Sequence, residues 1–183
     1  LANGFARKLW GFCLEKKKRS GKKGMPKISL PHNFSPRDYQ LPVMRAIDEG
    51  CKRAEICWNR RSGKDKTCLN IVAKEMQKRV GAYYYLLPEQ RHGRKVVWDG
   101  MDSDGFRLIE HFPKELLDGE PNTTEMKLRY KNGSLFQVGG SDSFNSLMST
   151  NPVMVVFGDY SLHSPYCWTY LRPILNQNNG IAI

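Results

Sequence analysis

The chain has 183 residues, about one domain's worth, and with 40% apolar and 11% aromatic residues it can fill a core, which excludes wholesale disorder. No run of about 18 apolar residues occurs, so no stretch has the length to cross a bilayer as a helix. Lys plus Arg number 29 against 18 acids, a net +11, and the excess is uneven: residues 1–24 carry +7 and the rest only +4. A basic block of this kind serves a polyanion partner, DNA or RNA first, or it is a solvated extension.

The chain opens on Leu1 rather than Met, as an interior fragment would, and shows no secretory signal there. Five cysteines (Cys13, Cys51, Cys57, Cys68, Cys167) are scattered without a C-x-x-C pair. Four histidines (His32, His92, His111, His163) lie far apart. Neither set has the spacing of a zinc site or a disulfide framework, so all nine are expected to be structural, with the thiols reduced.

Residues 13–24, rich in Lys and Gly, read as a mobile linker, with order expected from about Ile28. Ser35-Pro36 predicts a helix start, with Ser as N-cap and Pro at the first helical position. The helix after it would align Tyr39, Val43, Ile47 and Cys51 on one face. Glu55-Ile56-Cys57-Trp58 has the length of a buried strand. A turn-like stretch follows, Asn59 to Lys64, and then Leu69, Val72, Ala73 and Met76 recur at helical spacing up to about Val80.

Ala82 to Leu87 predicts a second buried strand, stopped by Pro88, with a helix through Val96, Val97 and Trp98 behind it. Residues 126–130 and 134–138 alternate on either side of Asn132-Gly133, a hairpin signal in which both turn residues accept positive φ. Val153 to Phe157 is an apolar run of the kind buried on both faces in a parallel sheet. A helix near Pro165 to Leu175 and the apolar Ile181-Ala182-Ile183 come last. Strands alternating with helices predict an α/β sheet, mostly parallel, with helices on both faces and an inserted β-hairpin.

Chemistry concentrates at Gly63-Lys64. A triphosphate needs inward backbone N–H groups, a helix N-terminus behind them and a lysine reaching the β- and γ-phosphates. Gly63-Lys64 has an apolar run before it and an amphipathic helix after it, whereas Gly21-Lys22 has neither. The motif's first glycine is missing, and Asp65 stands where Ser or Thr would bind magnesium. Thr67 cannot replace it, because two helical steps turn a side chain about 200° away. Asp65 either binds the metal, directly or through water, or simply sits well at a positive helix end. The plainer alternative for the whole stretch is a strand–loop–helix corner.

A nucleotide hydrolase also needs an acid at the end of a neighbouring buried strand. Asp159, after Gly158 and about 95 residues beyond Lys64, fills that place; otherwise it belongs to an ordinary Gly-Asp turn. Arg60 and Arg61 precede Ser62-Gly63-Lys64, where a guanidinium could neutralise charge developing on the γ-phosphate, or they are a surface pair. Upstream, Tyr39 could stack on a base and the Gln40 amide could pair with an adenine edge.

Several stretches in order resemble the ATPase domain of a tailed-bacteriophage terminase large subunit, the motor that packages DNA into a procapsid. They are Pro36-Arg37-Asp38-Tyr39-Gln40, Trp58 to Asp65, Tyr84-Tyr85-Leu86-Leu87-Pro88 with Gln90, Asn132-Gly133-Ser134 with Gly140-Ser141-Asp142, Phe157 to Leu162, and Trp168 to Leu175. The resemblance runs from about residue 30 to the end. It implies a P-loop NTPase fold (RecA/ASCE-like) with ATP and Mg2+ as cofactors. Tyr39 and Gln40 would recognise adenine, Arg60, Arg61, Ser62, Gly63, Lys64 and Asp65 would form the phosphate loop, and Asp65 and Asp159 would serve the metal. Arg60 would act in cis, and Asp65 fits a branch with Gly-Lys-Asp. Gly158 stands where many members carry Asp, and Asp159 where the family usually has its catalytic glutamate.

The implied organisation is a basic segment over 1–27 and an incomplete ATPase domain over 28–183, with the family's coupling motif and nuclease outside these residues. Implied partners are double-stranded DNA, further copies in a homo-oligomeric ring, a portal and a small terminase subunit. The implied setting is the host cytoplasm and, transiently, the procapsid. Two rivals keep the same residues: a helicase-type ATPase, and a non-catalytic nucleic-acid-binding module whose phosphate loop has degenerated.

Overall fold

The computed structural model describes residues 34–147 and 149–183. The basic N-terminal segment, the expected onset of order near Ile28, Cys13 and His32 lie outside the described residues. A single mixed sheet organises the chain, built from β1 (Ala82–Leu87), β2 (Lys127–Arg129), β3 (Leu135–Gly140), β4 (Pro152–Phe157) and β5 (Ile181–Ala182), in the order β2-β3-β1-β4-β5. Every neighbouring pair is parallel except β2 with β3. The helices are α1 (Leu41–Asp48), α2 (Lys64–Lys78), α3 (Gln90–Gly93) and α4 (Pro165–Gln177). No described helix is long and apolar enough to cross a membrane.

Period-two alternation sorts the strand side chains onto two faces. Tyr83, Tyr85 and Leu87 of β1 join Met154 and Val156 of β4 in one core, against Leu69, Val72 and Met76 of α2. Tyr84, Leu86, Val155 and Phe157 point the other way, against Cys167, Leu171 and Leu175 of α4. Both faces are covered, so the runs at β1 and β4 are apolar throughout rather than alternating. A five-residue π-helical turn, Arg94–Trp98, continues α3 and buries Val97 and Trp98.

The hairpin is not an appendage. Its second strand, β3, pairs in parallel with β1, and β2 forms the sheet edge. The turn differs from the two-residue type expected at Asn132-Gly133. Gly133 N donates to Tyr130 O at 2.8 Å and Tyr130 N to Ser134 O at 2.9 Å, closing a three-residue loop in which only Gly133, at φ 93°, takes positive φ. Asn132 keeps negative φ and uses its side chain instead, accepting from Ser134 N at 2.9 Å and donating to Met76 O at 2.8 Å.

Two other expectations are corrected. Helical structure begins not at Ser35-Pro36 but at Asp38–Gln40, a 3-10 turn with Arg37 as N-cap, and passes into α1 at Leu41. Gln40 Oε1 accepts from Arg37 N at 2.9 Å, the reach-back bond of a capping box, and Pro42 sits in the first turn, where its missing N–H costs nothing. The buried face is therefore Met44 and Ile47; Tyr39 lies in the 3-10 turn and Cys51 beyond the helix.

Nor is Glu55-Ile56-Cys57-Trp58 a strand. Only Arg53 bridges to the sheet, opposite Ala182, with Ala182 N donating to Lys52 O at 2.9 Å and Ala54 N to Ala182 O at 3.1 Å. The neighbour β5 is two residues long, so residues 55–58 have no ladder to join and Glu55 and Cys57 are exposed.

Candidate functional site

The stretch 52–58 and β4 flank β5 on opposite sides and run parallel to it, so the segments that follow them, 59–63 and 158–161, leave the sheet at the same end. Ligand sites of open α/β sheets sit at such a carboxyl edge. A cavity of about 580 Å³ opens there, within the ~300–1,000 Å³ range of small-molecule sites. Lys64, Asp65, Tyr85 and Asp159 line it together, with Trp58 and Trp168 on the walls. Lys64 and Asp159, 95 positions apart, thus face one space.

Local conformation explains how the loop presents α2. Arg61 at φ 60° and Gly63 at φ 80°, ψ 31° are both left-handed, and Gly63 is the N-cap. Glycine tolerates that conformation, and no side chain caps the helix. The first-turn N–H groups, which have no intrahelical acceptor, carry the positive end of the helix dipole and form an anion cradle. Ser62 O is held from outside by Gln40 Nε2 at 2.9 Å and Tyr39 Oη at 2.8 Å. An added Cβ on Gly63 would stand 3.0 Å from that Gln40 nitrogen.

Thr67 is fully buried and turned back on the helix, its Oγ1 donating to Gly63 O at 2.9 Å, which excludes it as a cavity ligand. Asp65 is directed to the sheet side, where Tyr85 Oη donates to its Oδ1 at 2.5 Å. Burial, and then the Asp65 charge, push the Tyr85 hydroxyl well above its usual range, so it stays a donor. Beneath them, burial pushes the Cys68 thiol up to about 12, leaving it protonated and inert at neutral pH.

Asp159 follows β4 in a left-handed conformation, φ 54°, and is exposed at the cavity rim. The turn beneath it is fastened by His163, whose Nε2 lies 2.7 Å from Gly158 O. Burial lowers the His163 pKa, so the ring is neutral at pH 7 and Nε2 is the donor. Arg60 and Arg61 are exposed and do not line the cavity. Tyr39 and Gln40 do not line it either; the Tyr39 ring, 43% exposed, packs edge-on against Trp58 with centroids 5.3 Å apart.

Sequence reasoning missed Tyr85 and Arg53. Three consecutive tyrosines in a buried strand were the available signal for the first, since buried hydroxyls require partners. Arg53 donates to Gly180 O at 2.7 Å and Asn176 Oδ1 at 2.6 Å, and its guanidinium lies 5.6 Å from the Trp168 ring centroid, tying the start of the loop to the α4–β5 connection. Nothing in the local sequence around residue 53 announces that role.

The donor set suits a magnesium nucleotide. Among the described residues no cluster of three or more His, Cys, Asp or Glu could hold a metal by itself. Magnesium in nucleotide sites is held by one or two carboxylates together with the phosphates, and Asp65 and Asp159 fit that pattern.

No protein-family model and no curated protein sequence matches the chain. Among solved structures, the chain is similar to the large terminase ATPase domain of Thermus phage P74-26, with TM-score 0.63, 20% identity, and coverage of 82% of this chain and 64% of that one. A point variant of that domain gives TM-score 0.63 at 20% identity, covering 81% and 64%. The large terminase of a thermophilic bacteriophage gives TM-score 0.57 at 12% identity, covering 79% of this chain and 37% of that one. The chain therefore spans less than two thirds of the length of each of these structures. At these identities the likeness is one of fold: the chain shares the mixed, mostly parallel α/β architecture of phage large-terminase ATPase domains.

Proposed function

We propose that the chain is the ATP-hydrolysing motor domain of a viral terminase large subunit, powering movement of double-stranded DNA into a procapsid. The observation that supports this best is the convergence of Lys64, behind a left-handed glycine at an uncapped helix N-terminus, and Asp159 on one cavity. In this reading the α2 N-terminus and the Lys64 ammonium bind the β- and γ-phosphates. Asp65 and Asp159 hold magnesium, which neutralises charge on those phosphates when bound. Asp159 also orients the attacking water and accepts its proton.

Tyr39 offers a face for the base, and Gln40, with both amide atoms on backbone partners, holds the loop. Arg60 and Arg61, free to swing from the loop surface, supply the guanidinium that meets developing charge. A ring of identical subunits, a portal, a small subunit and a procapsid setting in the host cytoplasm complete the proposal.

The test is hydrolysis by the intact protein. Magnesium-dependent ATPase activity should fall by at least about 100-fold in Lys64→Ala with an unchanged melting temperature. Activity that survives Lys64→Ala overturns the assignment.

A further inference from the structure

Resting on that reading, we propose that Tyr85 is a positioning residue that sets Asp65 as the cation-binding carboxylate, the helix supplying a second charge beside a strand end that offers one acid. Two independent features of the cavity floor lead there. The first is the space above Gly158. A Cβ on this residue would lie 3.0 Å from Tyr85 Cε1 and 3.0 Å from Leu87 Cδ2, so a side chain there would press on the tyrosine ring and the leucine, which would have to give by a few tenths of an ångström. The neighbouring Asp159 is then the sole acid that this end of β4 offers the cavity.

The second is the direction of Asp65. It is the second residue of a 15-residue helix, half-buried, and it points to the sheet, where Tyr85 Oη donates to Oδ1. Oδ2 has no protein donor among the described residues, and Asp65 and Asp159 line the same cavity. Tyr85 is 1% exposed, and its ring is fixed between α2 and β4, so the hydroxyl is a rigid reference point. One bond restrains the carboxylate's rotation and leaves its other oxygen available on a residue that lines the cavity, as partners behind metal ligands generally do. The ring packed against Gly158 thus also orients Asp65.

The experiment is a titration of Mn2+ into the full chain with saturating ADP, read by electron paramagnetic resonance of free Mn2+. ADP affinity in EDTA is measured in parallel. Tyr85→Phe, which removes one oxygen and keeps the ring, should weaken Mn2+ binding by about 10-fold or more while metal-free ADP affinity stays within about twofold. In an Asp65→Ala background, Tyr85→Phe should change Mn2+ affinity no further, a result that a merely structural tyrosine would not give.

Unchanged Mn2+ affinity in Tyr85→Phe overturns the proposal, and so does an equal further loss in the Asp65→Ala background. Should Tyr85→Phe lose its thermal transition, Asp65→Asn carries the test: weaker Mn2+ binding supports the proposal and wild-type affinity overturns it. A wild-type chain that binds no ADP overturns the functional reading and this inference together. Wild-type binding with an indifferent Tyr85→Phe overturns this inference alone.

Discussion

The two ends of α2 are built in opposite ways. At the C-terminus the last carbonyls are satisfied by neighbouring side chains. The one Tyr83 Oη proton is shared between Arg79 O at 2.6 Å and Glu75 O at 2.9 Å, while Ser134 Oγ and Asn132 Nδ2 each donate to Met76 O at 2.8 Å. At the N-terminus no side chain caps the helix, and the N-cap is a left-handed glycine. Orphan helix-end groups must find partners or face solvent. A helix fastened tightly at one end can leave the other open to an anion without fraying. Both ends rest on the same face of β1, Tyr83 at the closed end and Tyr85 at the open one. One end carries stability, and the other is free for binding.

That division can be broken by substitution at either end. The largest effect after loss of Lys64 is expected at Gly63→Ala. A left-handed non-glycine residue costs about 1–2 kcal/mol, and the new Cβ crowds the Gln40 amide that holds Ser62 O. Nucleotide affinity by calorimetry should drop about 10-fold. Wild-type affinity in this variant would mean that the loop conformation does not matter to binding.

Ser134→Ala, at the closed end, should lower stability by about 1 kcal/mol in a urea titration, one buried hydrogen bond being lost, and leave nucleotide affinity within about twofold. If affinity falls in step with stability, the two ends are not independent.

The smallest effect is one of pH, at the turn that carries Asp159. Burial holds the His163 pKa below its ordinary 6.5, so the folded state favours the neutral ring. Between the folded and unfolded pKa values the unfolded chain binds more protons. The contribution is therefore full above pH 6.5 and is lost as pH falls toward the folded value. The melting temperature should decline on acidification from pH 7.5 to 5.5, and His163→Gln should show a shallower decline. Parallel profiles would remove His163 from the account.

Legibility in the sequence followed the range of the interaction. The elements β1, β4, α2 and α4 were readable because an apolar run of strand length, or apolar residues at helical spacing, reports burial directly. The loop that presents the start of α2 was readable because Gly63-Lys64 lies just ahead of an amphipathic helix. The strand expected at Glu55-Ile56-Cys57-Trp58 failed for a non-local reason: its neighbour β5 is too short to extend the ladder. At Ser35-Pro36 a local signal lost to the Gln40 reach-back bond, with Gln40 also tied to Ser62, 22 residues away.

What the sequence determined by itself is the alternation of strands and helices and the placing of Gly63 and Lys64 at a helix start and Asp159 at a strand end, since composition and periodicity act over a few residues. Only the tertiary structure decided that Lys64 and Asp159 share a cavity, that Tyr85 reaches Asp65, and that Gly158 lies tight against Tyr85 and Leu87. Those facts depend on strand order and on the depth at which α2 packs on the sheet. Both are set by the burial of two apolar faces at once, which no short stretch of chain contains.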